Sequence, residues 1–355
     1  MLQWRQVDAL IHHLERKEEL SPREIAVAAE LLLDPNAPDE KKAAILENLS
    51  NKGETPAELA GFIEAFLEHA VDPHIGLLDL EGPTIDVCGT GGDKLNMFNV
   101  STTAMFVVAA TGAVVLKHGN RGITSKSGGA DVLEALNIRI DLPPDGFRDC
   151  LEKAGVGFLF APAYHPAFKA VAGVRKQLAE KGVRTIFNKI GPLMNPAKPQ
   201  CQLVGVFDRE MCPAFAEILQ RLGRESAWAV HGTTGDGRSV DELSLMGSTR
   251  ICKAGLYQDL EDEEVRPRDF GMKHAEVEEL QGGDAEVNAA ILEAILSGKD
   301  TGPKRDMVLL NAGAAIACCG LADDIGDGIE ISRRLIDDGS ALDRLRLLQD
   351  VAKRA

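Results

Sequence analysis

Two glycine-rich segments lie on either side of one predicted helix. The first is Gly89-Thr90-Gly91-Gly92-Asp93, directly after an apolar run, and the second extends from Lys117-His118-Gly119-Asn120-Arg121 to Ser125-Lys126-Ser127-Gly128-Gly129. Glycine lets the backbone turn tightly and brings its N–H groups close to a ligand, as phosphate-binding loops require. One such turn is weak evidence, but two complementary ones separated by a single helix predict a site for an anion.

Hydroxyls and positive charges accompany these glycines. Ser101 and Thr102 fall where a helix should begin, so their hydroxyls and the N–H groups of the first turn face the ligand at the positive end of the helix dipole. The second segment adds three cations within ten residues of one another, Lys117, Arg121 and Lys126, and its first carboxylate is Asp131.

The elements that position these residues are predicted from apolar runs. Short runs apolar on both faces alternate with helix-length segments from residue 84 onward, which indicates an α/β fold with a mainly parallel sheet. Ligands bind beyond the carboxyl ends of such strands, where both glycine segments lie. The predicted strands are 84–88, 113–117, 157–160, 202–207 and 227–231.

The first 78 residues instead indicate helices. Ser21-Pro22-Arg23-Glu24 and Thr55-Pro56-Ala57-Glu58 are capping boxes, and 41–49 is a third helix before Gly53. An apolar stripe on the helix that starts near Pro56 needs cover, for which a partner subunit or the second domain is the natural source. Helices are also expected over 284–297 and 308–319, with an exposed acidic stretch at 261–264.

Composition limits the class of protein. The 355 residues carry 39 basic and 55 acidic side chains, a net charge of −16, so nucleic acid is an unfavourable partner. No apolar run reaches the roughly 20 residues that span a bilayer, and no signal-peptide core is seen at the start, so we expect a cytoplasmic protein without a membrane partner. Seven cysteines without paired spacing argue against a disulfide framework or a zinc site.

The glycine segments and the Asn-x-Ser-Thr at Asn99 resemble the signature of the anthranilate phosphoribosyltransferases of tryptophan biosynthesis. The likeness covers nearly the whole chain, because it continues in Phe160-Ala161-Pro162-Ala163-Tyr164-His165-Pro166, Val174-Arg175, Arg184-Thr185-Ile186-Phe187-Asn188, Gly191-Pro192-Leu193-Met194-Asn195-Pro196, Asp241-Glu242-Leu243-Ser244 and Asn311-Ala312-Gly313-Ala314.

The resemblance implies a fold like that of nucleoside phosphorylases and phosphoribosyltransferases, with a small all-helical domain and a larger α/β domain. The helical domain would comprise 1–78, rejoined by 164–191, and the phosphoribosyl diphosphate-binding domain 79–163 and 192–355, with the active site in the cleft. The resemblance also implies a homodimer through the amino-terminal helices.

The implied reaction moves the phosphoribosyl group from 5-phosphoribosyl 1-diphosphate to the amine of anthranilate and releases diphosphate, with Mg²⁺ as cofactor. The implied metal ligands are Ser101, Asp241 and Glu242, although a solvated loop is the ordinary interpretation of an acidic pair. The implied contacts of the phosphoribosyl donor are Gly89, Gly92, Asp93, Asn99, Ser101, Thr102, Lys117, Asn120, Arg121 and Ser125.

By the same resemblance, five residues line the path of anthranilate: Gly89, His118, Asn120, Arg175 and Pro192. Arg175 would bind the acceptor carboxylate, whereas Lys176 is taken as solvated. Lys117 and Arg121 would stabilise the departing diphosphate, and His118 would either move a proton or position a substrate.

Several residues depart from the family pattern. Met97 stands where the family usually has Thr or Ser, Gly129 where it has Ser, and Lys94 where it often has Gly. About two extra residues precede Gly182, and Lys189 takes a position that is normally apolar.

Three alternatives remain open. A phosphoribosyltransferase of the same fold with another aromatic amine acceptor is the hardest to exclude. A nucleoside phosphorylase would lack the Lys-His-Gly-Asn-Arg segment and the acidic pair in these places. A non-catalytic nucleic-acid-binding relative would need a basic surface and would have lost the acidic pair.

Overall fold

The computed structural model describes residues 4–92, 94–122 and 126–355. Its helices are α1 (Trp4–Glu15), α2 (Pro22–Leu33), α3 (Asp39–Lys52), α4 (Pro56–Leu67), α5 (Val100–Ala110), α6 (Gly129–Ala135), α7 (Pro144–Ala154), α8 (Ala161–Tyr164), α9 (Ala172–Glu180), α10 (Phe187–Ile190), α11 (Cys212–Arg221), α12 (Ala285–Leu296), α13 (Pro303–Cys318), α14 (Ile325–Asp337) and α15 (Ser340–Ala352). Its strands are β1 (Thr84–Gly89), β2 (Val114–Gly119), β3 (Val156–Phe160), β4 (Cys201–Gly205), β5 (Ser226–Thr233), β6 (Ser239–Val240), β7 (Thr249–Gly255) and β8 (Gln258–Val265).

The chain divides into two compact units. The helical unit comprises Met1–Val71 and Pro162–Pro196, and the α/β unit comprises Asp72–Ala161 and Ala197–Ala355. Among the described residues, no helix is both long enough and apolar enough to cross a membrane.

Both predicted capping boxes are present in the helical unit. Ser21 begins α2 and Thr55 begins α4, each with its side chain accepting the N–H of the glutamate three residues on. Besides completing the capping box of α4, the Glu58 carboxylate accepts the Leu20 N–H at 2.8 Å and pairs with Lys52 at 2.6 Å. This buried carboxylate therefore joins α3, α4 and the segment before α2.

The apolar stripe of α4 is covered within the single chain. Phe62 and Phe66 are fully buried, and the Phe66 ring lies 5.4 Å from the rings of both Phe168 and Phe187. The expectation that this stripe needs a partner subunit or the second domain is therefore wrong, because segments 162–196 of the same unit supply the cover.

The α/β unit contains one sheet with strand order β3-β2-β1-β4-β5-β7-β8, and β6 pairs with β5. The first five strands of this order are parallel, and β6, β7 and β8 are antiparallel additions. All five predicted strands are confirmed, with ends that differ by at most two residues, and so are the helices at 284–297 and 308–319, although the second begins earlier, at Pro303. The acidic stretch 261–264 is exposed, as predicted, and it lies in β8.

The strand order creates a switch point between β1 and β4. From β1 the chain crosses to β2 and β3 on one side, whereas β4 continues to β5 on the other. At this point the residues that end the two strands, Gly89 and Gly205, are register partners. A crevice opens at such a place in doubly wound sheets, and ligands bind there. Helix α5 follows β1 after the first glycine loop. It is buried over nearly its whole length, so its first turn is held in place by the core.

Candidate functional site

Asp241 lies directly over the two glycines of the switch point. A Cβ atom on Gly89 would be 2.4 Å from Asp241 Oδ2, and one on Gly205 would be 1.6 Å from the Asp241 carbonyl oxygen. Real Cβ atoms do not approach this closely, so neither position tolerates a side chain while Asp241 stays in place. The glycines thus bring a carboxylate to the carboxyl ends of β1 and β4.

The first glycine loop is bonded to the same carboxylate. The Gly91 N–H donates to Asp241 Oδ2 at 2.6 Å, and Thr90 N–H donates to the Gly205 carbonyl at 2.9 Å. Gly91 and Gly92 have φ of +71° and +103°, which explains why glycine is required there. Asp93 lies outside the described residues.

The start of α5 and the end of β2 meet beneath this loop. Lys117 is buried, and its Nζ donates to the Val87 carbonyl at 2.6 Å and to Ser101 Oγ at 3.2 Å. Ser101 is half-buried and Thr102 is buried. The prediction that a helix begins here is confirmed, with Asn99 as the residue before the first turn.

The acidic pair is held by a residue far along the chain. Asn311, on α13, accepts the Leu243 N–H at 2.9 Å and donates to the Leu243 carbonyl at 3.0 Å, so the loop after Glu242 is fixed on both sides. Glu242, Ser101 and Asn311 line one small cavity with Gly205. The structure thus brings together Ser101 and Glu242, two of the three predicted metal ligands, and places the third, Asp241, next to Gly205.

This donor set fits Mg²⁺ that is bound together with phosphates. Magnesium keeps several waters and is commonly held by one or two carboxylates plus substrate phosphates. Among the described residues, no three His, Cys, Asp or Glu side chains converge into a complete metal cage. A hydroxyl and two carboxylates beside a glycine loop could therefore supply the protein's share of the ligands of a Mg²⁺ ion that also binds substrate phosphates.

The second glycine segment is closed by Asp131. Its Oδ2 accepts the N–H groups of Gly122 and Gly128, both at 2.8 Å, so the carboxylate ties the two ends of the segment. Burial raises the pKa of Asp131, but these bonds and the one from Arg121 outweigh burial and leave the pKa below its usual value. Ser125 lies outside the described residues.

The other predicted residues of this segment have partners within the chain. Arg121 pairs with Glu134 and, at 3.3 Å, with Asp131, which raises the pKa of the guanidinium. Asn120 is exposed, and its side chain accepts the Arg121 N–H at 2.8 Å. His118 is buried, and its backbone N–H donates to Asp86 Oδ1 at 3.2 Å.

A buried asparagine that sequence reasoning missed contacts Asn99. Asn288, on the first turns of α12, donates from Nδ2 to Asn99 Oδ1 at 2.8 Å. Its only sequence signal is an amide on the inner face of an amphipathic helix, which does not specify a partner 189 residues away.

In the helical unit, Arg175 lies over the Phe187 ring, with its Cζ 4.7 Å from the ring centroid. Burial lowers the pKa of the guanidinium, and no carboxylate among the described residues pairs with it. Lys176 is exposed. The two adjacent cations, which look equivalent in sequence, therefore have different surroundings, and Lys176 is solvated as predicted. Pro192 lies in a short 3-10 helix, Gly191–Leu193, of the same unit.

Two departures from the family pattern have structural explanations. Lys189 donates to Glu54 at 2.7 Å, and because the Glu54 side chain is almost fully buried, the lysine balances a charge that an apolar residue would leave unpaired. Lys94 has φ of +55°, the left-handed region that favours the glycine often found there.

The other two departures change contacts near α5. Met97 forms an isolated bridge with Gln281 and packs against the core. A Cβ on Gly129 would lie 3.0 Å from Thr102 Oγ1, so a serine at this position would require a small shift of Thr102.

A helical bundle domain together with an α/β domain that carries a candidate phosphate-binding site at its switch point is typical of one class of glycosyltransferases. The glycosyl transferase family matches through its helical bundle domain over residues 8–70 and through its α/β domain over residues 81–342. Curated relatives named anthranilate phosphoribosyltransferase include those of Herpetosiphon aurantiacus, 42% identical over 96% of both chains, and Haloferax volcanii, 43% identical over 86% of this chain and 88% of the relative.

Solved structures agree with this assignment. The anthranilate phosphoribosyltransferase of Thermus thermophilus superposes with a TM-score of 0.87 at 36% identity, covering 98% of this chain and 99% of that one. The Saccharomyces cerevisiae enzyme in complex with PRPP and Mg gives 0.85 at 25% identity, with 100% and 99% coverage. The chain belongs to the anthranilate phosphoribosyltransferase family.

Proposed function

We propose that the chain transfers the phosphoribosyl group of 5-phosphoribosyl 1-diphosphate to the amine of anthranilate, with release of diphosphate, as a step of tryptophan biosynthesis. The observation that carries this proposal is the crevice between β1 and β4. There a glycine loop, the start of α5 and an acidic pair meet around Gly89 and Gly205. Relatives that share this chain's full length bear the name of that activity.

The phosphoribosyl donor binds in this crevice of the α/β unit. Backbone N–H groups at the start of α5 are suited to phosphate oxygens, since they carry the positive end of the helix dipole. Lys117 keeps Ser101 oriented from below, at 3.2 Å. The guanidinium of Arg121 reaches phosphate only by exchanging its carboxylate partners, Glu134 and Asp131, for the ligand.

Magnesium, when bound, would neutralise charge on the diphosphate. Ser101, Asp241 and Glu242 would hold it, because they offer oxygen ligands at the edge of the donor crevice. Asp241 is fixed for this task by Gly91 N–H, and the loop that carries Glu242 is fixed by Asn311.

Arg175 supplies the specificity for the acceptor. A half-buried guanidinium over an aromatic ring, without a carboxylate partner among the described residues, is suited to a ligand that brings a carboxylate. Binding the carboxylate of anthranilate there would restrain the adjacent amine. Lys189 lies on the same short helix as Phe187, and its ion pair with Glu54 at 2.7 Å ties that helix to the segment before α4.

In the reaction, the nitrogen of anthranilate forms a bond to the anomeric carbon while the bond from that carbon to diphosphate breaks, and the nitrogen then loses a proton. An arylamine is largely unprotonated at neutral pH, so no strong general base is needed. The chain's own contribution is to align the two reactants and to place positive charge near the departing diphosphate.

The test is an assay of the purified chain with phosphoribosyl diphosphate, Mg²⁺ and a panel of aromatic amines that includes anthranilate and aniline. We expect turnover with anthranilate and far weaker turnover with amines that lack the neighbouring carboxylate. If the chain prefers an amine without a carboxylate, the assignment of anthranilate as acceptor is wrong but phosphoribosyl transfer to an amine stands. If no amine is a substrate, the proposal is overturned.

A further inference from the structure

Asn288 sits at the centre of a small buried network of amides. The side chain is 3% exposed. Its Oδ1 accepts the Gly283 N–H at 2.8 Å, while its Nδ2 donates to Asn99 Oδ1 at 2.8 Å and to the Gly283 carbonyl at 3.3 Å. Asn99 in turn donates from Nδ2 to the Ser127 carbonyl at 3.2 Å.

The hydrogen-bond pattern fixes the orientation of both amides. The Gly283 N–H can only donate, so the atom that faces it must be the oxygen of Asn288. The Asn288 nitrogen must then face Asn99, which therefore presents its oxygen to Asn288 and its nitrogen to the Ser127 carbonyl. A backbone N–H before α12 thus decides which way the Asn99 amide points.

The surrounding backbone holds the network in place. Gly282 N–H donates to the Asn96 carbonyl at 2.8 Å, and Phe98 N–H donates to the Leu280 carbonyl at 3.3 Å, so the segments before α5 and α12 run side by side. A Cβ on Gly282 would lie 2.3 Å from Asn288 Oδ1 and 2.7 Å from Phe98 Cα. Position 282 therefore has no room for a side chain, because one would collide with both the Asn288 amide and the segment before α5.

We propose that Asn288 is a positioning residue for the phosphoribosyl donor site. It sets the amide of Asn99, and through Asn99 it joins the start of α5 to the second glycine segment at Ser127. The second N–H of Asn99 is then directed to the bound phosphoribosyl group. This assignment rests on the proposed function and on the contact between Asn99 and the donor that the family resemblance implies.

The test replaces Asn288 by aspartate, which has the same shape but no N–H to give. In Asn288→Asp, two acceptor oxygens face each other, so Asn99 must turn and lose its bond to Ser127. We expect a roughly tenfold rise in the dissociation constant of phosphoribosyl diphosphate with Mg²⁺, measured by calorimetry, and a matching rise in its Michaelis constant. The Michaelis constant of anthranilate should stay within about twofold.

Asp284→Ala is the matched control. Asp284 begins the same helix and accepts the Val287 N–H at 3.0 Å, so its loss weakens α12 without touching Asn99. If both variants lose the same affinity for the phosphoribosyl donor, or if Asn288→Asp binds it like the unsubstituted chain, the positioning role is overturned.

A double-mutant cycle keeps the test decisive if the aspartate variant folds poorly. Asn99→Ala and Asn288→Ala should each weaken binding of the phosphoribosyl donor, and the double variant should be little weaker than Asn99→Ala alone. Additive losses would contradict the proposal. Because binding of the phosphoribosyl donor is measured without acceptor, a chain that binds it but fails to transfer to anthranilate would contradict the proposed function and leave this result standing.

Discussion

Arg175 and Lys176 are adjacent cations with different surroundings. The guanidinium of Arg175 packs on Phe187 and is partly withdrawn from water, whereas Lys176 is exposed. A charge that has already lost part of its hydration gains more from a carboxylate than a fully hydrated one does, because less water must be removed on binding. The proposed specificity for a carboxylate therefore suits Arg175 better than Lys176.

Replacing Arg175 by alanine tests this difference. A charge-assisted hydrogen bond contributes about 1.5 to 3 kcal/mol, so Arg175→Ala should lower kcat/KM for anthranilate on the order of ten- to a hundredfold. The change should appear in the Michaelis constant of anthranilate, since the phosphoribosyl donor keeps its partners. Steady-state kinetics with each substrate varied in turn would measure it.

Lys176→Ala serves as the control and should change either constant little. The acceptor site has been misplaced if the two variants behave alike, or if the Michaelis constant of the phosphoribosyl donor rises instead.

Asp241 and Glu242 should carry the magnesium dependence. The variant Asp241→Asn with Glu242→Gln keeps the size of both side chains and an oxygen for the Gly91 N–H, so the fold should be unchanged by circular dichroism. Turnover at ordinary Mg²⁺ concentrations should be abolished, because neutral amides are poor ligands for a hard cation. Full activity of this variant would refute the metal assignment.

Some positions of the site were predictable because their backbone conformation favours a single residue type, glycine. Gly91 and Gly92 have positive φ, which glycine adopts freely, and this is what a glycine run in the sequence indicates. Asn288 gave no such signal. Its role depends on a partner in a distant segment, and an amide side chain alone does not identify its partner.

The conformation of the second glycine segment depends on the Asp131 carboxylate, which accepts two of its backbone N–H groups. Asp131→Ala removes the acceptor of two backbone N–H groups, so the segment should loosen and the Michaelis constant of the phosphoribosyl donor should rise on the order of tenfold. Glu134→Ala leaves those bonds and removes only a partner of Arg121. If Arg121 binds phosphate, this second variant should keep or lower that Michaelis constant, and a rise equal to that of Asp131→Ala would refute the role of Arg121.

The Glu58 carboxylate anchors helix α4, and its contribution to the stability of the fold depends on pH. Burial raises its pKa, but bonds from Lys52, Thr55 and Leu20 outweigh burial, so the folded-state pKa lies below its ordinary value of 4.5. Its stabilisation is therefore present above about pH 4.5 and is lost as the pH falls through the lower folded-state value.

Glu58→Gln should accordingly cost about 2 to 4 kcal/mol of unfolding free energy at pH 7, because Lys52 is left buried without a counter-charge. The deficit relative to the unsubstituted chain should shrink below pH 4. Urea denaturation across this range would measure it. Glu64→Gln, at an exposed position of the same helix, is the control. A Glu58→Gln deficit that stays as large well below pH 4 as at pH 7 would contradict the assignment.

Element identity was more predictable than element order. The five parallel strands are apolar on both faces and stand out in sequence, but nothing local places β4 beside β1, and that pairing creates the crevice. The β7–β8 hairpin was missed because β8 carries four consecutive acidic residues and lacks an apolar face. Strand β8 joins the sheet by antiparallel backbone pairing with β7, and two cross-strand ion pairs, Arg250–Asp262 and Lys253–Glu263, accompany that pairing.

For the whole molecule, a homodimer through the amino-terminal helices stays a prediction. The apolar stripe of α4 no longer argues for it, since Phe62 and Phe66 are covered within the chain. The family resemblance is its remaining support. Sedimentation equilibrium at micromolar concentration should give twice the 38.1 kDa chain mass, and a monomer there would refute it.

Strand β8 ends the sheet, and its outer edge could template the addition of a strand from another molecule. Glu261, Asp262, Glu263 and Glu264 oppose this at neutral pH, since two such edges repel each other. The repulsion between whole molecules depends on pH as well, because the net charge changes from −16 at pH 7 to zero near the isoelectric point of about 5.0. The protein should therefore be stored and crystallised well above pH 5, because near that pH the charges on β8 are left to oppose edge-to-edge assembly without help from a net molecular charge.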